Sequence, residues 1–328
     1  MPRLLAAKML AAVLLMASAG ASPRAEERDA ASGGSAPAAE TIELPAGGLL
    51  FVPDDRIAIE SQEVVLSRSG VRTTYVLRNA TPDPISRVVS WRLPEIDMNV
   101  IGESLVVLPR PDPVNFPGAT TTVDGAPVPL AFEPRASAFG RDVTDLLAKG
   151  GVPLNPLSPG SEDALRRLPP EALADLEERG AVNRDDDRIV PNWLLRTTAF
   201  WRQTFAPDAT VSIALAYAPV TASDTWRPGS LDALRGPYCI DDALQTAIAG
   251  RAAKAGLGLI VHRLTYTLAD NSGWWAAIPS FRLAVEKAGL ETLIASCWRD
   301  LRVAGPTRLE TTRRDFRPGE DIQVLFID

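Results

Sequence analysis

Val71-Arg72-Thr73-Thr74-Tyr75-Val76-Leu77-Arg78 changes character at every step: Val71, Thr73, Tyr75 and Leu77 share one parity, Arg72, Thr74, Val76 and Arg78 the other. A period of two places successive side chains on opposite faces of an extended chain, so this stretch predicts a strand with one face in a core. Upstream, Ile57 and Ile59 followed by Val64-Val65-Leu66 predict an earlier pair of strands. Downstream, Asn79-Ala80-Thr81-Pro82-Asp83-Pro84 reads as a turn into a run with Ile85, Val89, Trp91 and Leu93 on one parity. The pattern returns in Val211-Ile213-Leu215-Tyr217, Ile260 to Leu268, Phe281-Leu283-Val285, Leu293 to Cys297 and Ile322-Val324-Phe326. The chain is predicted to be mainly β.

Helical signals interrupt this pattern twice. Asp142 precedes Val143 to Lys149 and a Gly150-Gly151 stop; Ser161 opens a second segment with Leu165 and Leu168; Pro170 begins a third, with Leu173 and Leu176 inward and Gly180 at its end. Residues 141–188 therefore read as a small helical insertion, closed by a solvated loop at Asn183 to Arg188. After Cys239, Asp241 or Asp242 caps a helix over 241–256 with Leu244, Ala247 and Ile248 inward. Phe205-Ala206-Pro207 before Val211 and Ile213 is echoed, 111 positions later, by Phe316-Arg317-Pro318 before Ile322 and Val324. The echo predicts that each half ends in a similar hairpin. The expected architecture is two β-sandwich-like halves, 41–225 with the helical insertion and 226–328 with one opening helix.

The first residues place the protein outside the cytoplasm. Met1-Pro2-Arg3 precedes an apolar run from Leu4 to Ala19, broken by Lys8 and closed by small residues, with cleavage expected after Ala19 or Ala21. Residues 1–21 read as a secretory signal peptide, since the run is shorter than the ~20 apolar residues of a spanning helix. Residues 22–40, rich in Ala, Ser, Gly, Pro and charge, read as a disordered linker. No second long apolar run follows, so no membrane span is expected after cleavage. A formal net charge of -7 without a Lys/Arg cluster gives no footprint for nucleic acid or an anionic membrane.

Two cysteines, Cys239 and Cys297, are the whole complement. In an oxidising compartment an even pair reads as a disulfide, and closing a loop of 58 positions removes chain entropy of about 4 kcal/mol. His262 is the sole histidine and shares the parity of Ile260, Leu264, Tyr266 and Leu268, as a core or edge residue holding a hydrogen bond would. With one histidine and no Gly-x-Ser-x-Gly elbow, the standard serine-hydrolase arrangement is poorly supplied, and a zinc site on two or three histidines is impossible. No metal site is expected. No glycine-rich phosphate loop appears, so no cofactor is expected. Asp241-Asp242 and Asp185-Asp186-Asp187 are the candidates for paired-carboxylate chemistry, against the ordinary roles of helix cap and solvated loop. Trp274-Trp275 after the turn Asp270 to Gly273, together with Trp226, form the candidate binding loop, because neighbouring strand residues face opposite ways and one indole is left to grip a sugar or protein. The alternative is that both tryptophans cover a core rim. Asn79-Ala80-Thr81 also matches a glycosylation acceptor, although a turn is its plainer role.

Several stretches resemble a bacterial exported family, domain of unknown function 4424. They are Ala46-Gly47-Gly48-Leu49-Leu50-Phe51, Ile59-Glu60-Ser61-Gln62-Glu63, Arg78 to Thr81, Leu93 to Asp97, Thr122 to Gly125, Phe139 to Thr144, Pro153 to Leu157, Tyr238 to Asp242 and Phe281-Arg282-Leu283. The resemblance runs in order over roughly residues 42–328. It departs at Trp274-Trp275-Ala276-Ala277-Ile278-Pro279, where the family pattern has one Trp and then Gly-Pro-Ile. It implies an exported, β-rich protein and transfers no catalytic residue. The combined reading is a non-catalytic, periplasmic or secreted β-sandwich protein of the bacterial envelope that binds a partner protein, a glycan or another ligand. The alternative is an envelope hydrolase using paired carboxylates, with glycans as substrate.

Overall fold

A computed structural model of the chain describes residues 41–50, 56–102, 104–186, 188–226, 231–255, 258–268 and 277–328; the side chains of 226, 231, 232 and 255 are outside that description. The expected signal peptide (1–21) and linker (22–40) lie outside the described residues. In chain order the first elements are β1 (Ala46–Gly47), β2 (Leu49–Leu50), β3 (Ile57–Ser67), β4 (Gly70–Asn79), β5 (Ile85–Arg92), β6 (Ile96–Asp97) and α1 (Met98–Ile101). Then come β7 (Thr120–Val123), β8 (Ala126–Val128), β9 (Ala131–Ala138), β10 (Arg141–Asp142), α2 (Thr144–Lys149), α3 (Ser161–Arg166) and α4 (Pro170–Glu178). The middle holds β11 (Val182–Asp185), β12 (Arg188–Pro191), β13 (Leu194–Phe205), β14 (Thr210–Tyr217), β15 (Ala222–Trp226), α5 (Leu231–Arg235) and α6 (Asp242–Ala255). The last strands are β16 (Leu259–Thr267), β17 (Ile278–Glu286), β18 (Leu293–Ala295), β19 (Arg302–Gly305), β20 (Arg308–Phe316) and β21 (Ile322–Ile327).

Among the described residues an eight-stranded sheet runs in the order β19-β20-β17-β3-β4-β14-β7-β8. A six-stranded sheet (β10-β9-β13-β5-β2, with β6 on β13) and a five-stranded sheet (β1-β16-β21-β18, with β15 on β16) cover it. The inward residues of all three sheets pool into one core, from Trp91 and Leu195 of the six-stranded sheet to Tyr266 and Val324 of the five-stranded one. Register explains why the long sheet is one surface. Leu215, Thr73, Val64 and Leu283 are opposite one another across four strands, and all four are fully buried. The outer face of this sheet carries Arg282, Arg308, Glu63 and Glu310 in mutual ion pairs. Exposed pairs of that kind contribute roughly 0–1 kcal/mol each, so burial on the inner face dominates the sheet's stability.

Helices cover the outer sides of the two smaller sheets. The insertion forms its own core, in which Leu147, Leu165 and Leu176 pack with Ala136, Ala138 and Trp193. Ile248 of α6, with Leu244 and Ala252 beside it, packs on Leu259, Val261, Leu325 and Ile327. Ala247 is exposed instead of inward, because the buried stripe runs at a spacing of four through Leu244, Ile248 and Ala252. With helix on one side and long sheet on the other, β16 and β21 are buried on both faces. Strict alternation is therefore lost at Leu325, Phe326 and Ile327.

Several expectations are revised. The predicted pair of strands over 57–66 is one strand, β3, whose register shifts between Ile59 and Ser61. A bulge there interrupts the alternation without ending the strand. The expected loop at 183–188 is the hairpin β11–β12, with Val182 and Ile189 buried beneath its charged residues. The division at 225/226 is crossed by both mixed sheets, since β17 pairs in parallel with β3, and β1 in parallel with β16. The chain from Ala38 to Asp328 is one compact unit. The Phe-x-Pro echo is real in sequence but makes no hairpin. Phe205 ends a strand of the six-stranded sheet while Val211 begins in the long sheet; Phe316 ends in the long sheet while Ile322 begins in the five-stranded one. Proline has no N–H for a ladder, which favours a chain that leaves its sheet at this point.

The turn at 79–84 is a further crossing of this type, between β4 and β5. Asn79 is fully buried, and its amide donates to the carbonyls of Asp83, Phe205 and Ala206 at 2.8, 3.2 and 3.1 Å. It ties the two crossings together and is a turn residue with no room for a glycan.

Gly48 lies between β1 and β2, where the chain passes from the five-stranded sheet to the six-stranded one. A Cβ there would collide with the Tyr75 hydroxyl and lie 2.7 Å from that of Tyr266, whereas one at Gly47 would meet nothing within 4 Å. Gly48→Ala is expected to destabilise the fold by about 1–3 kcal/mol, the usual cost of overpacking rigid buried rings. Gly47→Ala is expected to shift it by under about 1 kcal/mol. Urea unfolding of the two variants checks this, and equal midpoints would contradict it.

Candidate functional site

Cys239 and Cys297 form a disulfide, S–S 2.01 Å and Cα–Cα 4.9 Å, joining the turn after α5 to the segment after β18. Both cysteines are exposed, and Cys239 has a left-handed backbone, φ 50°. Next to the bridge is an aromatic cluster. Phe281 and Phe316 stack at 4.3 Å between centroids, and Trp298 stands 5.9 Å from each. Arg313 lies over the Trp298 ring at 4.1 Å and donates to the carbonyl of Arg299 at 3.2 Å. Bridge, rings and arginines wall a concavity of about 450 Å³ at the crossing between β20 and β21, with Arg317, Gly319 and Glu320 on its rim. That volume lies in the range of small-molecule sites.

The segment holding Trp274 and Trp275 lies outside the described residues. Its flanks are described: the Leu268 N–H donates to Asp321 at 3.0 Å, and Ile278 is opposite Phe316. Both flanks therefore adjoin the crossing that carries the concavity. Trp226 ends β15 opposite Leu259, and its side chain is outside the description. Sequence reading missed Trp298, Arg313 and Phe316 as a group. The available signals were Trp298 directly after a bridged cysteine and Arg313 at the parity of the inward Thr311.

The carboxylates singled out in the sequence occupy structural positions. Asp241 accepts the Leu244 N–H at 2.7 Å at the start of α6, and Asp242 pairs with Arg235. Asp185 ends β11 and Asp186 takes the left-handed turn position, φ 51°, while Asp187 is outside the described residues. Glu43 is a buried carboxyl that sequence reading did not single out; burial raises its pKa from the ordinary value, and the Thr265 hydroxyl donates to it at 2.8 Å. Among the described residues no cluster of His, Cys, Asp or Glu is arranged to hold a metal ion.

His262 is half-buried within β16, between Ser223 of β15 and Phe326 of β21; Ile260, expected on the same inward face, is exposed instead. Its Nδ1 shares a hydrogen bond with Ser223 Oγ at 2.7 Å, while Nε2 is 3.4 Å from Arg68 and 3.8 Å from Asp328. Arg68 also pairs with Asp328 at 2.7 Å, so these residues link the first hairpin of the long sheet to the last strand of the five-stranded one. A guanidinium stands nearer to Nε2 than the carboxylate does. Burial, then Arg68, lowers the imidazole pKa from its ordinary 6.5 against the smaller opposing effect of Asp328.

The model of the family described as Domain of unknown function (DUF4424) matches residues 38–325. The chain belongs to this family. No curated protein matches it in sequence. Among solved structures it is similar to a candidate nutrient-binding protein of Legionella pneumophila subsp. pneumophila, with 13% identity and TM-score 0.48, covering 88% of this chain and 72% of that one. A second similarity is to an M1 zinc metallopeptidase of Deinococcus radiodurans, at 8% identity and TM-score 0.25, over 84% of this chain and 43% of that one. Neither similarity is close enough to carry fold or function across to this DUF4424 chain.

Among the described residues of this DUF4424 chain, no helix is long and apolar enough to cross a membrane. Two outcomes follow from the site geometry. A folded-state pKa below 6.5 means the unfolded chain takes the His262 proton more readily. The histidine's contribution is therefore intact above about pH 6.5 and lost as pH falls through the folded value. The melting temperature of the wild type is expected to fall further than that of His262→Gln between about pH 7 and about pH 5; parallel curves in differential scanning fluorimetry would contradict it. Cys239→Ser/Cys297→Ser is expected to lose about 4 kcal/mol in urea unfolding under non-reducing conditions. A loss below about 1 kcal/mol would show that the bridge constrains little.

Proposed function

We propose that this is a non-catalytic, exported β-sandwich protein of the bacterial cell envelope that binds a ligand or partner protein at the disulfide-walled concavity. The observation that carries the reading is Arg313 lying over Trp298 beside Phe316 and the Cys239–Cys297 bridge, a concavity of ligand size. Tryptophan and arginine are the residue types that concentrate binding energy at contact sites. The helix-capping role of Asp241 and the hairpin position of Asp185 and Asp186 support a binding role over paired-carboxylate hydrolysis. The disulfide supports an oxidising compartment, and the Met1 to Ala21 leader supports export to the periplasm or beyond.

Fractionation of a bacterium expressing the full chain is expected to recover it from the periplasm or medium, with a new N-terminus at Gly20 or Ser22 by mass spectrometry. Cross-linking in the envelope is expected to give a specific adduct with wild type that Trp298→Ala loses. Cytoplasmic retention of the intact leader would refute export, and an unchanged adduct pattern would refute the concavity as the contact site.

A further inference from the structure

The arginines of the long sheet fall into two groups. On the outer face Arg282 pairs with Glu310 and Arg308 with Glu286, each at 2.6 Å. Arg313 belongs to the inner face, opposite the fully buried Phe281. A charge there is unusual, because the inner row otherwise enters the core. Among the described residues neither Arg313 nor Arg299 has a carboxylate partner, although the chain carries more acid than base, with net charge -7. The Trp298 ring replaces the missing counter-charge only in part, since a cation–π contact contributes about 0.5–2 kcal/mol. The Arg313 guanidinium carbon lies over that ring at 4.1 Å. Its N–H donors lie in the plane, at the edge, and one of them is spent on the Arg299 carbonyl. The indole N–H of Trp298 is buried and finds no acceptor among the described residues. Three arginines and one glutamate line the hollow.

From this we infer that the concavity takes a small organic anion. Its carboxylate or phosphate pairs with the guanidinium edge of Arg313 and with Arg299, and its apolar body lies against Phe316 and the disulfide. The inference rests on the concavity being the binding site, and it adds the chemical class of the ligand. A fork of parallel N–H donors held by a ring is the geometry that selects oxyanions.

Isothermal titration of the oxidised full chain with four probes tests it: benzoate, phenyl phosphate, benzamide and benzylammonium. At least one of the two anions is expected to bind about tenfold or more tightly than benzamide, and benzylammonium to give no binding heat. The preferred anion identifies whether carboxylate or phosphate is the source of the charge. Arg313→Gln is expected to lose about tenfold or more in anion affinity with benzamide unaffected; Arg313→Lys should keep part of it, having charge without the fork. Arg314→Gln, on the exposed outer face, should change nothing; melting curves of each variant show that the fold is retained. Benzamide binding as well as both anions would overturn the anionic class while leaving the concavity as a ligand site. Heat from none of the probes, or anion binding unchanged in Arg313→Gln, would overturn the inference. An envelope adduct lost in Trp298→Ala would then still uphold the binding-site reading independently.

Discussion

Much of this structure depends on how closely the backbone at Gly48 approaches three buried phenols. The Leu49 N–H and the Gln62 amide both donate to the Tyr75 hydroxyl at 3.2 Å, and the Tyr217 hydroxyl both accepts from and donates to the Gly47 backbone, at 2.9 and 2.6 Å. Thr73 and Tyr266 share a hydrogen bond at 2.9 Å. Burial pushes all three phenols above their ordinary pKa of 10.0, so they remain neutral and hydrogen-bonded. A short segment can thereby edge two different sheets, because the polar groups it leaves unpaired in the core are satisfied by these hydroxyls. Without a side chain at Gly48 the two smaller sheets become a single second layer over the long sheet.

The same problem, a chain changing sheets across a dry core, is solved differently at two crossings along one end of the long sheet. Asn79 locks the turn after β4 to the turn after β13 by donating to the carbonyls of Phe205 and Ala206. At the crossing after β20 the aromatic cluster of Phe281, Phe316 and Trp298 does the sealing. Arg313 stands at the inner face there, and the disulfide closes one side. A concave crossing, walled by rings and cations, is where a ligand can be held without disturbing the layers.

Parallel pairing of β3 with β17 and of β1 with β16 has a further consequence. Residues more than two hundred positions apart lie in neighbouring strands, so the core cannot close until both halves of the chain are present. High sequence separation of contacts of this kind slows folding. The loop closed by Cys239 and Cys297 restrains the segment that carries α6, the helix that covers the five-stranded sheet.

Local chemistry was legible from the residues alone wherever one face of one element is buried. The alternation at 71–78, the proline-initiated helix at 170 with its Gly180 stop, the helix-capping Asp241 and the cysteine pair needed no partner to be recognised. Each is set by period, backbone freedom or bond chemistry within a short stretch. Double-sided burial erased the alternation at Leu325 to Ile327, and a bulge made one strand read as two at 57–67. The candidate site could not be read in the same way. Trp298, Arg313 and Phe316 come together only because β20 leaves one sheet and β21 enters another, and because the bridge draws Cys297 to Cys239. Period, capping and cysteine number in the residues were enough for a β-rich sandwich with helical additions and a paired bridge. That its two halves share one core emerges from packing, since register between distant strands belongs to the folded pair and leaves no mark in either strand alone.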